Sequence, residues 1–259
     1  MKTIINSNKL TALSIFSFEA LAAQCESAGP QAPRDIDSLQ GHNKRVFAMA
    51  PPKEKLNLCN IHFHKNAEHK AKDFSRIPVA SKHAGFQCNA ATTLTAAELK
   101  PTQSKVCGNV KPGDTIEVHW VHSSCDVEPG PTLSACLNTH CSNPDLRVET
   151  QVFLVVNDDN ALDFTTLDYQ GLTNGYHQAG PLPTNTGTPV EFLGSTTGPS
   201  YNNQQCSPLQ VSWSVRPSCA KISINSLARW CENNRFEEDH AHGIRKLVTD
   251  PKLLAPINH

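Results

Sequence analysis

Between Thr115 and His122 the chain reads Thr-Ile-Glu-Val-His-Trp-Val-His, and an extended strand gives these residues consistent surroundings. Strand side chains alternate with period two. Glu117, His119 and Val121 therefore share one face, and Val118, Trp120 and His122 share the other. An earlier segment has the same alternation: in Asn60-Ile-His62-Phe-His64 the two imidazoles and Asn60 point one way, while Ile61 and Phe63 point the other. If the two strands are neighbours, three histidines meet on a polar face backed by an apolar wall. Three nitrogen ligands with an open fourth position are the donor set of a catalytic zinc.

Chance alone weakens the first half of that reading. With twelve histidines, a His-x-His pair should arise in roughly one of every two such chains, and a second pair does occur at His240-Ala-His242. The first pair differs in its neighbours. Asn60 stands two residues before His62, and Glu117 two before His119. A metal-bound imidazole usually donates its other N–H to such a partner, which fixes the ring.

The remaining pattern is that of a single, mostly β (α+β) domain. At 259 residues the chain can bury one sizeable core. Strands are expected over 56–64, 115–122, 148–157, 190–193 and 210–215, with a turn at Lys111-Pro-Gly-Asp114 leading into the second. Helix is expected over 223–231, and a short helical piece over 95–99. Residues from about 25 to 55, rich in Pro and Gly, read as an extended arm before the first strand.

Lys2 and Lys9, an apolar run from Leu10 to Ala23 and the small-x-small Ala20-Leu21-Ala22 read as a signal peptide over 1–22. The expected mature chain is 23–259, secreted or periplasmic. Gln24 before Cys25 argues against a lipid anchor there. The ten cysteines, at 25, 59, 88, 107, 125, 136, 141, 206, 219 and 231, all follow the proposed cleavage. An even number in an exported chain implies disulfides, and a zinc–thiolate alternative lacks any Cys-x-x-Cys. Net charge is −1, with 18% charged residues in no block, so nucleic acid and membrane surface have no electrostatic support as partners. A small, weakly charged substrate fits better. Oligomeric state is open, a homo-oligomer included.

These segments resemble a known family. Glu117-Val-His-Trp-Val-His122 resembles the Glu-Leu-His-Leu-Val-His of α-type carbonic anhydrases, and Asn60-Ile-His-Phe-His64 their Gln-Phe-His-Phe-His. Glu68-His69 is similar to their Ser-Glu-His, Gly194-Ser-Thr-Thr-Gly-Pro199 to Gly-Ser-Leu-Thr-Thr-Pro-Pro, and Ser212-Trp213 to a Thr-Trp strand. The order is kept across residues 60–215, and the whole, including the stretch 58–70, looks closest to the δ class. The resemblance implies a large, mainly antiparallel twisted sheet with few short helices. It implies Zn²⁺ on His62, His64 and His119, with Asn60 and Glu117 as the outer partners of the ligands. The activity implied is reversible hydration of CO₂ to bicarbonate and a proton, by hydroxide from a zinc-bound water whose pKa falls to about 7. Val121 and Trp213 would form the CO₂ pocket, and a threonine would orient the nucleophile and donate to Glu68. Ungapped matching from Gly194 selects Thr197; matching the Thr-Thr pair selects Thr196.

The chain departs from the α pattern in two places. Glu68 follows His64 by only four residues, and the gap between second and third ligands is about twice the α spacing, with Cys88 and Cys107 inside what reads as a disulfide-pinned insertion. No proton-transfer histidine can be matched; His69, His83 and His122 are candidates. The rival reading is a secreted cupin with His62, His64, Glu68 and His119 as ligands to iron, manganese or nickel. A Pro-x-Gly before the last histidine, expected there, is replaced by Ile116-Glu-Val118. A binding protein without chemistry would typically have lost a ligand, and a serine nucleophile lacks its Gly-x-Ser-x-Gly elbow.

Overall fold

The computed structural model describes residues 25–78, 85–102, 107–108 and 110–257. The expected signal peptide and His83 lie outside the described residues. The strands are β1 (Asn57–Lys65), β2 (Phe74–Arg76), β3 (Gln87–Cys88), β4 (Thr115–Ser123), β5 (Leu146–Val156), β6 (Tyr169–Thr173), β7 (Tyr176–Ala179), β8 (Val190–Ser195), β9 (Gln210–Val215) and β10 (Ala220–Ser223), followed by helix α1 (Ile224–Glu232). No described helix is long and apolar enough to cross a membrane.

The main sheet runs β1-β4-β5-β9-β8, with β10 also on β5. β1–β4, β4–β5 and β8–β9 are antiparallel, but β9 and β10 both run parallel to β5. The sheet is thus mainly antiparallel, as expected, with two short parallel pairings on β5 that make it mixed. The reason is the length of β5: β9 pairs with Arg147–Thr150, the chain steps away at 216–219, and β10 resumes at Phe153. One nearly continuous stretch of chain serves one long edge.

Alternation sorts the core into two layers. Val121, Val148, Val152, Val211 and Trp213 pack on one face with Phe192. Ile61, Phe63, Val118, Trp120, Phe153 and Ile222 pack on the other, covered by Leu227 and Trp230 of α1. β4 is buried along its whole length, as a central strand should be. A bulge at Cys59 matters to the site. It shifts the register between Leu58 and Asn60, so Leu58 stays opposite His122 in the helix-covered layer while Asn60 pairs with Val121. Without that extra residue the two would share a face.

All ten cysteines are paired: 25–206, 59–136, 88–219, 107–231 and 125–141. Cys88 and Cys107 pin the segment between the ligand strands, and they do so to Cys219 and Cys231 rather than to each other. Helix 223–231 is observed one residue later. The expected helix at 95–99 is a single turn: Glu98 Oε2 accepts from Thr95 N at 2.8 Å, and Glu98 N donates to Thr95 Oγ1 at 3.2 Å. That is a capping box, and Pro101 disfavours helix at the residue before it. The β6–β7 hairpin lies in a stretch that reads as loop. Its tip is Asn174-Gly175, both with positive φ (52° and 85°), the dipeptide suited to such a turn.

Candidate metal centre

In the β1–β4 ladder His62 lies directly opposite His119, and His64 opposite Glu117. The three imidazoles converge, with ring centroids 4.8–5.3 Å apart and one nitrogen from each within 4.8 Å of the others. The outward nitrogens are all taken. His62 Nδ1 donates to Asn60 Oδ1 (2.6 Å), His64 Nδ1 to the Gly243 carbonyl (2.9 Å), and His119 Nε2 to Glu117 Oε1 (2.7 Å). These bonds leave His62 Nε2, His64 Nε2 and His119 Nδ1 facing inward. His62 Nε2 and His119 Nδ1 are 3.2 Å apart, and His64 Nε2 is buried without a hydrogen-bond partner.

A buried nitrogen without a partner costs free energy unless something binds it. Burial and then the neighbouring imidazoles push His62 well below the usual histidine range, and burial likewise lowers His119. Both rings are therefore neutral, the form a metal needs. Burial works to raise Glu117, but the nearby His69 and the hydrogen bonds from His119 and His69 overcome it, holding the carboxyl well below its usual range and ionised. Glu117 Oε1 also accepts from His69 Nδ1 (2.8 Å) and Oε2 from the His69 amide (3.0 Å), so Glu117 forms a layer behind the cluster.

The other anticipated residues are placed unevenly. Asn60 bridges, its Nδ2 donating to Gly130 O at 3.0 Å. Val121 is buried beside the cluster, and the Trp213 ring lies 5.1 Å from that of His119, its Nε1 donating to Ser195 O. Glu68 Oε1 accepts from the Arg245 amide at 2.6 Å, while Oε2 lies 3.7 Å from His64 Nε2 without a hydrogen bond. Glu68 is not part of the three-histidine group. Among the described residues no hydrogen bond joins it to either threonine. The buried Thr196 hydroxyl pairs with Ser207 Oγ (2.5 Å), and half-buried Thr197 lines the cavity. Of the proton-transfer candidates, His69 is buried behind the cluster and His122 falls in the opposite layer. Burial and Lys53 push His122 down to about 3.

The three histidines open into a cavity of about 480 Å³. Leu146, Val148 and Val211 join Val121 and Trp213 on its apolar lining; Glu237, Glu238, His240 and His242 supply a charged part. In the sequence, His240-Ala-His242 is no more than a pair that chance supplies, and the Gly243 carbonyl leaves no side-chain signal.

Three convergent imidazoles, held from behind and floored into an apolar cavity, have the donor set of a mononuclear metal centre. The family profile for Delta carbonic anhydrase matches residues 53–226, more than half of the chain and inclusive of all three histidines. The chain belongs to the δ-carbonic anhydrase family, and its enzyme class is that of a carbonic anhydrase. Two solved structures are similar at low identity. A hyperthermostable carbonic anhydrase from an active hydrothermal vent chimney shares 14% identity (TM-score 0.32, 88% of this chain and 92% of that one). An α-carbonic anhydrase from Thermovibrio ammonificans, in complex with the inhibitor sulfanilamide, shares 16% (TM-score 0.29, 88% and 91%). No curated protein matches the chain.

Proposed function

We propose that the protein hydrates CO₂ reversibly to bicarbonate and a proton, with Zn²⁺ on His62 Nε2, His64 Nε2 and His119 Nδ1. The observation that carries this reading is the buried His64 Nε2, without a hydrogen-bond partner, beside two other inward nitrogens. A donor set of three imidazoles with no carboxylate suits zinc, whereas non-haem iron favours two histidines and a carboxylate. Zinc bound there supplies Lewis acidity that lets a water ionise near neutral pH.

The chain's own residues do the rest. Asn60, Glu117 and the Gly243 carbonyl fix the ring orientations through the outward nitrogens. Val121, Val148 and Trp213 hold CO₂ by apolar contact, since a neutral molecule needs no charged anchor. Thr197 is the favoured orienting hydroxyl, because the Thr196 hydroxyl is engaged with Ser207. Glu68 Oε2, buried and without a hydrogen bond, is the acceptor for a proton held by that hydroxyl or by a bridging water. The five disulfides favour export to an oxidising compartment, secreted or periplasmic.

Metal analysis tests the site. About one zinc per chain, lost on His119→Ala, is expected. Stoichiometric iron or manganese that depends on Glu68 would support the cupin-type alternative.

A further inference from the structure

The groups that back the three imidazoles are not equivalent. His64 is held by the Gly243 carbonyl and His119 by the Glu117 carboxylate, and both of these can only accept. Each therefore dictates that the nitrogen facing it carries the proton. His62 is backed by the Asn60 carboxamide, whose two ends are nearly alike in shape but opposite in polarity. With Oδ1 toward the ring, His62 carries its proton on Nδ1 and turns the Nε2 lone pair inward. Rotated by half a turn, the same side chain presents a donor, and Nδ1 would have to be the lone pair. A further group must choose between the two.

The Gly130 carbonyl makes that choice. It lies 3.0 Å from Asn60 Nδ2 and, as an acceptor, excludes Oδ1 from that place. Asn60 is buried, so a rotated carboxamide would set two acceptors against each other with no water to relieve them.

Gly130 is held in its turn. It stands between Pro129 and Pro131, whose rings fix φ on either side and leave Gly130 the one N–H donor of the three. That N–H donates to Cys59 O at 3.0 Å. Cys59 is the bulge residue that brings Asn60 onto the ligand face, and it is bonded to Cys136 further along the same loop. The Cys136 carbonyl accepts from Ser123 Oγ of β4 at 2.7 Å, which anchors the far end. Bulge and loop thus grip each other through the disulfide, the Gly130 N–H and the Asn60 amide.

We propose that Gly130 is a positioning residue for the metal. Clamped to the β1 bulge by Cys59–Cys136, its carbonyl sets the Asn60 amide and, through it, the His62 tautomer that offers Nε2 inward. The proposal rests on the zinc reading above.

Two measurements test it. In metal-free wild type, nitrogen NMR should show neutral His62 protonated on Nδ1 and a coupling across the hydrogen bond from Asn60 Nδ2 to the Gly130 carbonyl carbon. Chelator competition then compares the zinc affinity of wild type with two disulfide deletions. Cys59→Ala/Cys136→Ala leaves every ligand and Asn60 in place, yet affinity should fall about tenfold, with the Nε2–H tautomer of His62 appearing in the metal-free protein. Cys107→Ala/Cys231→Ala removes a disulfide from the helix-covered layer, and its affinity should stay within about twofold of wild type. The proposal is overturned by His62 protonated on Nε2 in the wild type, by absence of the Asn60–Gly130 coupling, or by a folded Cys59→Ala/Cys136→Ala protein with wild-type affinity and tautomer. Each of these leaves the zinc reading intact. If that variant does not fold, the wild-type tautomer and coupling decide. A wild type that binds no zinc would remove the zinc reading itself.

Discussion

Glu117 and His119 stand two residues apart on β4, and Glu117 Oε1 accepts the His119 Nε2–H at 2.7 Å. The same oxygen accepts from His69 at 2.8 Å, so one buried carboxylate fixes both its ring partner and the tautomer that turns His119 Nδ1 inward.

Replacing that charge should weaken the metal without unmaking the fold. Glu117→Gln keeps the shape but makes a poorer acceptor, and metal affinity should fall about 10- to 100-fold. Chelator competition measures it. An unchanged affinity would mean that Glu117 does not support the ligand.

The apolar lining can be tested apart from the metal. Val121 is buried at the cavity wall next to the cluster. Val121→Phe should lower kcat/KM for CO₂ by roughly 10²-fold with zinc content unchanged. Equal loss of zinc and activity would instead point to a disturbed ligand geometry.

The cavity wall also depends on a short disulfide loop. Cys125–Cys141 closes a span of 16 residues that contains Leu133 and Leu137 of the lining. Chain entropy assigns such a loop about 3 kcal/mol. Replacing both cysteines by Ala should lower unfolding free energy by about that amount in a denaturant titration. A change below about 0.5 kcal/mol would leave the loop held by other contacts.

Acid sensitivity should come in part from His122. Burial first, and then Lys53, depress it to about 3 in the folded chain, against about 6.5 when unfolded. Between those values the unfolded state binds the extra proton, so stability falls as pH drops, by about 1.4 kcal/mol per pH unit from this one group. His122→Gln should give a shallower loss of stability from pH 6 to 4. Parallel profiles would assign the acid sensitivity to other groups.

The parts of this molecule that follow from alternation were legible. Period two placed His62, His64 and Glu117–His119 on one face, and the five expected strands lie within one or two residues of those observed. Contributions from the backbone or from distant loops were not. The Gly243 carbonyl holding His64, and the Arg245 amide holding Glu68, are donors and acceptors that every residue possesses. The parallel pairing of β9 and β10 on β5 depends on long-range register that local pattern does not encode. His240 and His242 reach the cavity wall only because Asn234 and a disulfide fold their loop onto β1.

Stopped-flow hydration of CO₂ by the zinc-loaded protein, with His119→Ala alongside, tests the central claim most directly. The wild type should accelerate hydration well above buffer, and the variant, having lost its zinc, should not. A wild type that carries one zinc per chain yet hydrates CO₂ no faster than buffer would contradict it.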